Sequence, residues 1–280
     1  MLSKLRLALL KKENIKFGLF LLCIGLLGYN SKYIFIYKNV LHNIYQSIAD
    51  SSMIKSLSPY HSYVKTIMAI LVLAPSIQIL KLYKNKTAED ISLSYYVFTI
   101  LIVICINLDF FRDQYNESMN FFMISLKIVK NILYTVVIFL ILKYRKQFDS
   151  SRYFFGLLVG LQLFFFSGIF LFPKLLHIIS NNDGVEAMIV CVLSMGMLKP
   201  MLQTFRTVSK GSAKDVSIIY LSSIMTYLFL TVIDSVIFFN INHSHIPVNN
   251  ITANFAKGVF YLITISVVSY YRLRKDIEKS

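Results

Sequence analysis

Seven long apolar runs constrain this chain more than any other feature of its sequence. An α-helix needs about 20 consecutive apolar residues to cross the roughly 30 Å hydrocarbon core of a bilayer, and each run has about that length. The sequence therefore predicts an all-α, polytopic membrane protein with seven transmembrane helices. The runs, numbered here as spans 1 to 7, cover residues 64–83, 91–111, 119–142, 153–176, 185–204, 216–239 and 251–271.

The composition of the whole chain indicates the same environment. Of its 280 residues, 56% are hydrophobic, and the mean hydropathy is +0.62. Soluble domains usually have an apolar share of about 45 to 50%. One or two soluble domains are therefore excluded as the main architecture.

The N-terminal region, residues 1–60, carries a shorter apolar stretch at residues 17–27, directly after a basic segment. This order is typical of a signal peptide or of an uncleaved signal anchor that extends toward residue 36. No small-x-small cleavage site follows the stretch, which favours the anchor.

Lysine and arginine residues between the spans predict the orientation in the membrane. They cluster after spans 1, 3, 5 and 7, whereas the other loops hold only Arg112 and Lys174. Because basic residues at span ends are retained in the cytoplasm, the seven-span core is expected to start outside or in a lumen. The basic tail, residues 272–280, is then cytoplasmic. The protein is expected in either the plasma membrane or an endomembrane.

The net charge of +15 is, on this interpretation, mostly a signal of topology. It favours contact with the anionic cytoplasmic leaflet of the lipid bilayer. The basic residues are spread over several loops and form no single face, so nucleic acid is not an expected partner.

An internal repeat relates the two halves of the chain. The stretches "APSIQILKLYKNKTAEDISLSYY" at 74–96 and "KPMLQTFRTVSKGSAKDVSIIYL" at 199–221 align at a constant offset of 125 residues. Because span 4 lies between the copies, both have the same orientation. We expect two parallel three-helix bundles, 64–142 and 185–271, joined by the linker helix 153–176. The matched pairs include Pro75 with Pro200, Gln78 with Gln203, Asp90 with Asp215, Tyr95 with Tyr220, Asp109 with Asp234 and, at an offset of 127, Lys130 with Lys257 and Tyr134 with Tyr261.

In each copy a proline and then a glutamine lie near the cytoplasmic end of the first helix of the bundle. A hydroxyl residue, Thr87 in the first copy and Ser212 in the second, follows nine residues after the glutamine. This pattern resembles the PQ-loop signature of the SWEET (MtN3/saliva) transporter superfamily, which is more distantly similar to KDEL receptors. The resemblance implies the 3+1+3 helix arrangement and transport of a small polar solute by alternating access. Sugar-carrying members usually have a tryptophan in the second helix of a bundle, and this chain has none.

Pro75 and Pro200 lie inside predicted spans, where a proline removes a backbone hydrogen bond and weakens the helix. We expect a pair of hinges that open the cytoplasmic side, with a static kink as the alternative. Gln78 and Gln203, close to these points, are expected either to bridge the bundles or to cap helix ends.

Lys130 and Lys257 are predicted to lie deep in spans 3 and 7. A cation there costs roughly 3 kcal/mol on insertion scales, so it normally faces a cavity or a partner. We expect a central pocket that binds an anionic group by charge-assisted hydrogen bonds; pairing of the lysines with backbone carbonyls or with each other's acidic neighbours is the alternative. Asn254 resembles the substrate-site asparagine of the SWEET family by its position. The expected lining is Lys127, Lys130, Asn131, Asn254 and Lys257.

Asp109 and Asp234 come late in spans 2 and 6, near the outside surface. They are predicted to form an outer gate by pairing with Arg112 or with a lysine of spans 3 and 7. Interfacial carboxylates in contact with water are the alternative.

The leading hypothesis is a transporter of a small polar solute, sugar-like or, more in keeping with the lysines, anionic or amino-acid-like. No enzyme, cofactor or metal site is expected, since the five histidines have no nucleophile placed beside them. The alternatives are a KDEL-receptor-like sorting receptor that binds a peptide C-terminus in the endomembrane system, and a scaffold without transport. Spans 2 and 6 contain no Arg or Lys, which disfavours the receptor. A homo-oligomer is left open.

Overall fold

The computed structural model describes residues 58–114, 121–171, 196–242 and 248–277, together with Ser56 and a few single positions between 178 and 192. The predicted signal segment and part of the first half of span 5 lie outside the described residues. Within them the chain is all-helical, with eight α-helices and two 3-10 turns and no strand. The helices are α1 His61–Leu71, α2 Pro75–Asn85, α3 Leu93–Gln114, α4 Phe121–Tyr144, α5 Phe148–Leu171, α6 Lys199–Lys210, α7 Ile218–Asn242 and α8 Val248–Ile277; the 3-10 turns are Ser58–Tyr60 and Gly196–Leu198.

Three helical stretches of the described residues are long and apolar enough to cross a membrane: His61–Asn85, Ser125–Tyr144 and Ile218–Phe238. They coincide with spans 1, 3 and 6. Helices α3, α5 and α8 overlap spans 2, 4 and 7. The all-helical class is thus confirmed for the described residues, and three of their helical stretches have the length and apolar content expected of a membrane protein.

Span 1 differs from the prediction because it is two helices in place of one. Helix α1 ends at Leu71 and α2 begins at Pro75. A proline in the first turn of a helix loses nothing, since the first N–H groups have no partner within the helix. Pro200 likewise lies in the first turn of α6, after the 3-10 turn Gly196–Leu198. Both prolines therefore lie in the first turn of a helix that directly follows a short turn of the backbone.

Helices α2 and α6 also end alike. The residue after α2 is Lys86, with φ 51°, and the residue after α6 is Gly211, with φ 62°. Both have the left-handed conformation that commonly terminates a helix. The two positions are separated by the repeat offset, so the local structure of the loops follows the repeat in the sequence.

Helix packing follows the repeat as well. Helix α4 packs against α2 and α3, and α8 packs against α6 and α7. The two halves meet where α1 and α2 contact α7 and where α6 contacts α3, while α5 packs on α4. Large apolar side chains remain exposed on outer faces, among them Leu157 and Phe164 at 74% and 70%, as expected of helices that face lipid.

Candidate functional site

The two glutamines of the repeat hydrogen-bond the opposite half of the molecule. Gln78 on α2 donates through Nε2 to the Asp215 carbonyl oxygen at 2.8 Å, and its Oε1 accepts from the Ser217 amide at 2.8 Å. Gln78 is fully buried. Both of its bonds reach the loop between α6 and α7, so this side chain joins the two halves.

Gln203 on α6 makes the mirror-image contacts. Its Nε2 donates to the Asp90 carbonyl oxygen at 2.9 Å, and its Oε1 accepts from the Ser92 amide at 2.9 Å. Its exposed fraction is 2%. An amide side chain carries both a donor and an acceptor, so each glutamine satisfies a C=O and an N–H of irregular backbone.

The two aspartates in these loops also bind across the repeat. Asp90 accepts through Oδ2 from the Ser212 hydroxyl and the Lys214 amide, both at 2.8 Å. Asp215 accepts through Oδ1 from the Thr87 hydroxyl at 2.5 Å. Each carboxylate therefore orders the loop of the other half.

An arginine at the end of each half supports the loop of its own half. Arg145 donates to the Ala88 carbonyl at 3.0 Å and also to the Ile91 carbonyl. Arg272 donates to the Ala213 carbonyl at 3.2 Å. Burial lowers the pKa of Arg145 to about 10, which leaves the guanidinium charged at neutral pH. We call Gln78, Gln203, Asp90, Asp215, Arg145 and Arg272 the loop lock.

Five tyrosines fill the centre of the molecule between the two halves: Tyr95, Tyr96, Tyr134, Tyr220 and Tyr261, each no more than 2% exposed. The Tyr95 hydroxyl lies 3.2 Å from that of Tyr220 and 2.5 Å from that of Tyr261. The ring of Tyr96 stacks on Tyr220 with centroids 6.0 Å apart. Buried hydroxyl groups need partners, and these tyrosines supply them to one another.

Two lysines rest on aromatic rings near this centre. Lys199 Nζ lies 4.7 Å from the ring centroid of Tyr95 and 5.7 Å from that of Tyr261. Lys130 Nζ lies 4.7 Å from the ring centroid of Tyr227. Such cation–π contacts hold an ammonium group in place without removing its charge.

Lys199 was absent from the predicted site. The repeat places Ala74 at the matching position, so a search for matched polar pairs passes over it. Lys199 could have been found from its charge alone, because it lies inside a predicted span. A charged residue there is costly in a membrane and by itself indicates a functional position.

Lys130, Lys199 and Lys257 form what we call the lysine cluster. Lys199 Nζ lies over the ring of Tyr261, which is one turn after Lys257 on α8. Lys130 Nζ lies over Tyr227 of α7, the helix that packs against α8. Lys257 lies against the 3-10 turn that leads into Lys199: a Cβ placed on Gly196 of this turn would be 3.8 Å from Lys257 Cε. The ion pair formed by the described residues is His61–Asp234. None of the three lysines has a carboxylate partner among those residues.

The remaining predicted lining residues lie on α4 and α8, the helices that carry Lys130 and Lys257. Lys130 and Lys257 are each nine residues after the first residue of their helix, about 14 Å along it at 1.5 Å per residue. Lys127 is partly buried one turn before Lys130, and Asn254 is partly buried one turn before Lys257. Asn131 is fully buried, and its amide nitrogen and oxygen have no hydrogen-bond partner among the described residues.

The pair at the opposite end of the molecule from the loop lock is His61 with Asp234. His61 Nε2 on α1 lies 2.8 Å from Asp234 Oδ1 on α7, so this contact also joins the two halves. Asp234 was expected to pair with an arginine or a lysine. Its partner is a histidine because α1 begins before the predicted start of span 1, which brings His61 onto α7. The side chains of Asp109 and Arg112 lie outside the described residues.

Comparison of the chain with family models, with curated proteins and with solved structures finds no match in any of the three.

Proposed function

We propose that this chain is a membrane transporter of the PQ-loop type, which carries a small polar solute by alternating access between two three-helix bundles. The full arrangement is seven spans in the order 3+1+3, with the first span starting outside or in a lumen and a cytoplasmic C-terminus. Support comes from the repeat in the sequence and from the matching contacts that each half makes with the other. Transport of this kind needs no chemical step.

One observation carries the proposal: a lysine of each half lies against an aromatic ring of the other half. Lys130 of the first half lies over Tyr227, and Lys199 of the second half, to which Lys257 also belongs, lies over Tyr95. Several unpaired cations within a membrane span are costly, and a bound anion would offset that cost. A solute that bears a carboxylate or a phosphate is therefore the preferred cargo.

The fully buried Asn131 strengthens this assignment. A buried amide without hydrogen bonds destabilises a protein. The amide of Asn131 has none among the described residues, and it lies one turn after Lys127 on the same face of α4. A polar solute held by the lysines would supply the missing partners. Lys127, Lys130, Asn131, Asn254 and Lys257 remain the proposed lining, with Lys199 added to them.

Access to this site is controlled by the contacts at the two ends. The loop lock joins the halves at the proposed cytoplasmic end, and the His61–Asp234 pair joins them at the other end. Opening one end requires its contacts to break while those of the other end hold. The helix starts at Pro75 and Pro200 are the proposed hinges, since a break in the backbone hydrogen-bond ladder bends more easily than a continuous helix.

A thermal-shift screen of the detergent-purified full chain tests this function. The ligands are sugars, amino acids, carboxylates, phosphates and peptides that end in KDEL-like sequences. A ligand that binds the folded state stabilises it by RT ln(1 + [L]/Kd), so binding raises the melting temperature. We expect an anionic solute to raise it, Lys130→Met and Lys257→Met to abolish the shift, and Lys210→Met, at an exposed lysine, to leave it unchanged.

Other outcomes separate the alternatives. Stabilisation by the peptides alone would identify a sorting receptor that captures a C-terminal carboxylate. Stabilisation by a neutral sugar, unaffected by the lysine substitutions, would refute the cationic site. A hit is then tested for uptake into proteoliposomes; binding without uptake would contradict a transporter.

A further inference from the structure

The lysine cluster contains a cation that breaks the symmetry of the repeat. Lys130 and Lys257 are repeat mates, whereas the mate of Lys199 is Ala74. Lys199 nevertheless lies beside the helix that carries Lys257: its ammonium group is over the rings of Tyr95 and Tyr261, and Tyr261 is one turn after Lys257 on α8. The cluster therefore consists of a symmetric pair and one additional charge.

Three ammonium groups exceed what a singly charged solute can neutralise. The described residues bring no carboxylate to any of the three, and charges in a weakly polarisable interior interact much more strongly than charges in water. Lys127 lies one turn before Lys130 on the same helix, so one carboxylate would leave at least two of the three cations of the cluster uncompensated. A solute with two negative charges would compensate one more, and the aromatic faces of Tyr95 and Tyr261 stabilise Lys199.

We infer that the central site selects a dianion, a dicarboxylate or a phosphate monoester, and that Lys199 is the residue that distinguishes it from a monoanion. This inference rests on the proposed function and narrows its substrate class. It also disfavours zwitterionic amino acids, because their ammonium group would meet three lysines and no described carboxylate.

Asn131 completes the recognition. Its amide donor is fully buried and unpartnered among the described residues, and it lies one turn after Lys127 on the same face of α4. An oxygen of the dianion that accepts from this amide is held by a neutral donor in addition to the ammonium groups, which fixes its orientation.

Two matched pairs of ligands test the inference on the purified full chain by isothermal titration at constant ionic strength. One pair is succinate and monomethyl succinate; the other is methyl phosphate and dimethyl phosphate, used at about pH 8, where a phosphate monoester carries two charges. In each pair the carbon skeleton is nearly constant and the charge changes by one. We expect the dianion of one pair to bind at least about tenfold more tightly than its monoanionic partner. The pair that responds identifies a dicarboxylate or a phosphate monoester as the cargo.

Variants of Lys199 then assign the discrimination. Lys199→Gln should reduce the preference for the dianion to about threefold or less and change monoanion binding little. Lys199→Arg keeps the charge and should keep the preference. Lys210→Gln, at an exposed position of the same helix, should behave as the unsubstituted protein.

The failures of the two proposals are distinguishable. Equal binding of monoanion and dianion, or an equal loss of both in Lys199→Gln, overturns the dianion site but leaves the transporter. The dianion site is also overturned, and the transporter kept, if none of the four anions binds but an amino acid or a sugar does, and that binding is lost when Lys130 is substituted. If no ligand of the whole screen binds, both the dianion site and the transporter are overturned. If Lys199→Gln does not fold, the wild-type ligand pairs and Lys199→Arg still decide the question.

Discussion

Gln78 and Gln203 each use both ends of one buried amide, and this makes them sensitive to substitution. Each accepts from a backbone N–H and donates to a backbone C=O of the other half, at 2.8 to 2.9 Å. A hydrocarbon side chain of the same size would leave two buried backbone groups without partners. Such groups destabilise a fold more than the hydrogen bond itself stabilises it.

We therefore expect Gln78→Leu and Gln203→Leu each to lower the free energy of unfolding by about 2 kcal/mol, and to lower the melting temperature by similar amounts. Thermal unfolding of the purified protein measures both. Gln147→Leu, at an exposed glutamine, is the matched control and should change nothing. A melting temperature unaffected by the two buried substitutions would show that the loops are satisfied without the glutamines.

Some residues of the candidate site were predictable from the sequence and others were not, for physical reasons. Lys130 and Lys257 stand out because a charge inside an apolar run has an obvious cost and a partner in the repeat. Lys199 has the same cost but its repeat mate is Ala74. No site role was predicted for Arg145, because it binds backbone carbonyls of a loop 54 to 57 residues earlier, a contact that only the tertiary structure creates.

At the scale of the secondary-structure elements, α2 and α6 end in the same conformation with different residues. Lys86 has φ 51° and Gly211 has φ 62°. A side chain in the left-handed region brings its Cβ too close to the following carbonyl oxygen, at a cost of roughly 1 to 2 kcal/mol, whereas glycine has no such cost. The first half thus carries a strain that the second half avoids.

Substitutions at these two positions should change the free energy of unfolding in opposite directions. Lys86→Gly should raise the free energy of unfolding by about 1 kcal/mol, and Gly211→Ala should lower it by a similar amount. The effect at Gly211 is conformational, because a Cβ there would have no atom within 4 Å. Melting temperatures of both variants provide the check. A loss of stability in Lys86→Gly would indicate that contacts of the lysine side chain outweigh its backbone strain.

The helices themselves were largely predictable, whereas the break in span 1 was not. Runs of apolar residues mark what lipid can solvate, and α3, α4 and α7 lie within a few residues of the predicted spans. Hydropathy carries no information on the backbone hydrogen bonds that a proline removes. The turn at residues 72–74 before Pro75 therefore has no signature in apolar content, although the proline itself is a known signal for the start of a helix.

At the scale of the whole molecule, the two halves are joined at three levels. The loop lock connects them at one end, the tyrosine core and the lysine cluster lie between them, and His61 with Asp234 connects them at the other end. A carrier that alternates between two openings must break the two end contacts in turn. Holding either end closed should therefore stop exchange of the solute without disturbing the fold.

A covalent link across the loop lock tests this expectation. Thr87 and Asp215 approach to 2.5 Å between Oγ1 and Oδ1, so the pair Thr87→Cys and Asp215→Cys, in a chain with its native cysteines replaced by alanine, can be joined by a short bifunctional thiol reagent. We expect the link to abolish uptake into proteoliposomes and a reductant that cleaves it to restore uptake.

The control pair is Thr135→Cys with Gln162→Cys. The native side chains lie 3.0 Å apart between α4 and α5, so this pair links the first half to the linker helix. Because these helices are not expected to separate during rocking, this link should leave uptake intact. Uptake that continues with the loop lock linked would mean that the two halves do not move apart at that end, and alternating access by rocking would be wrong.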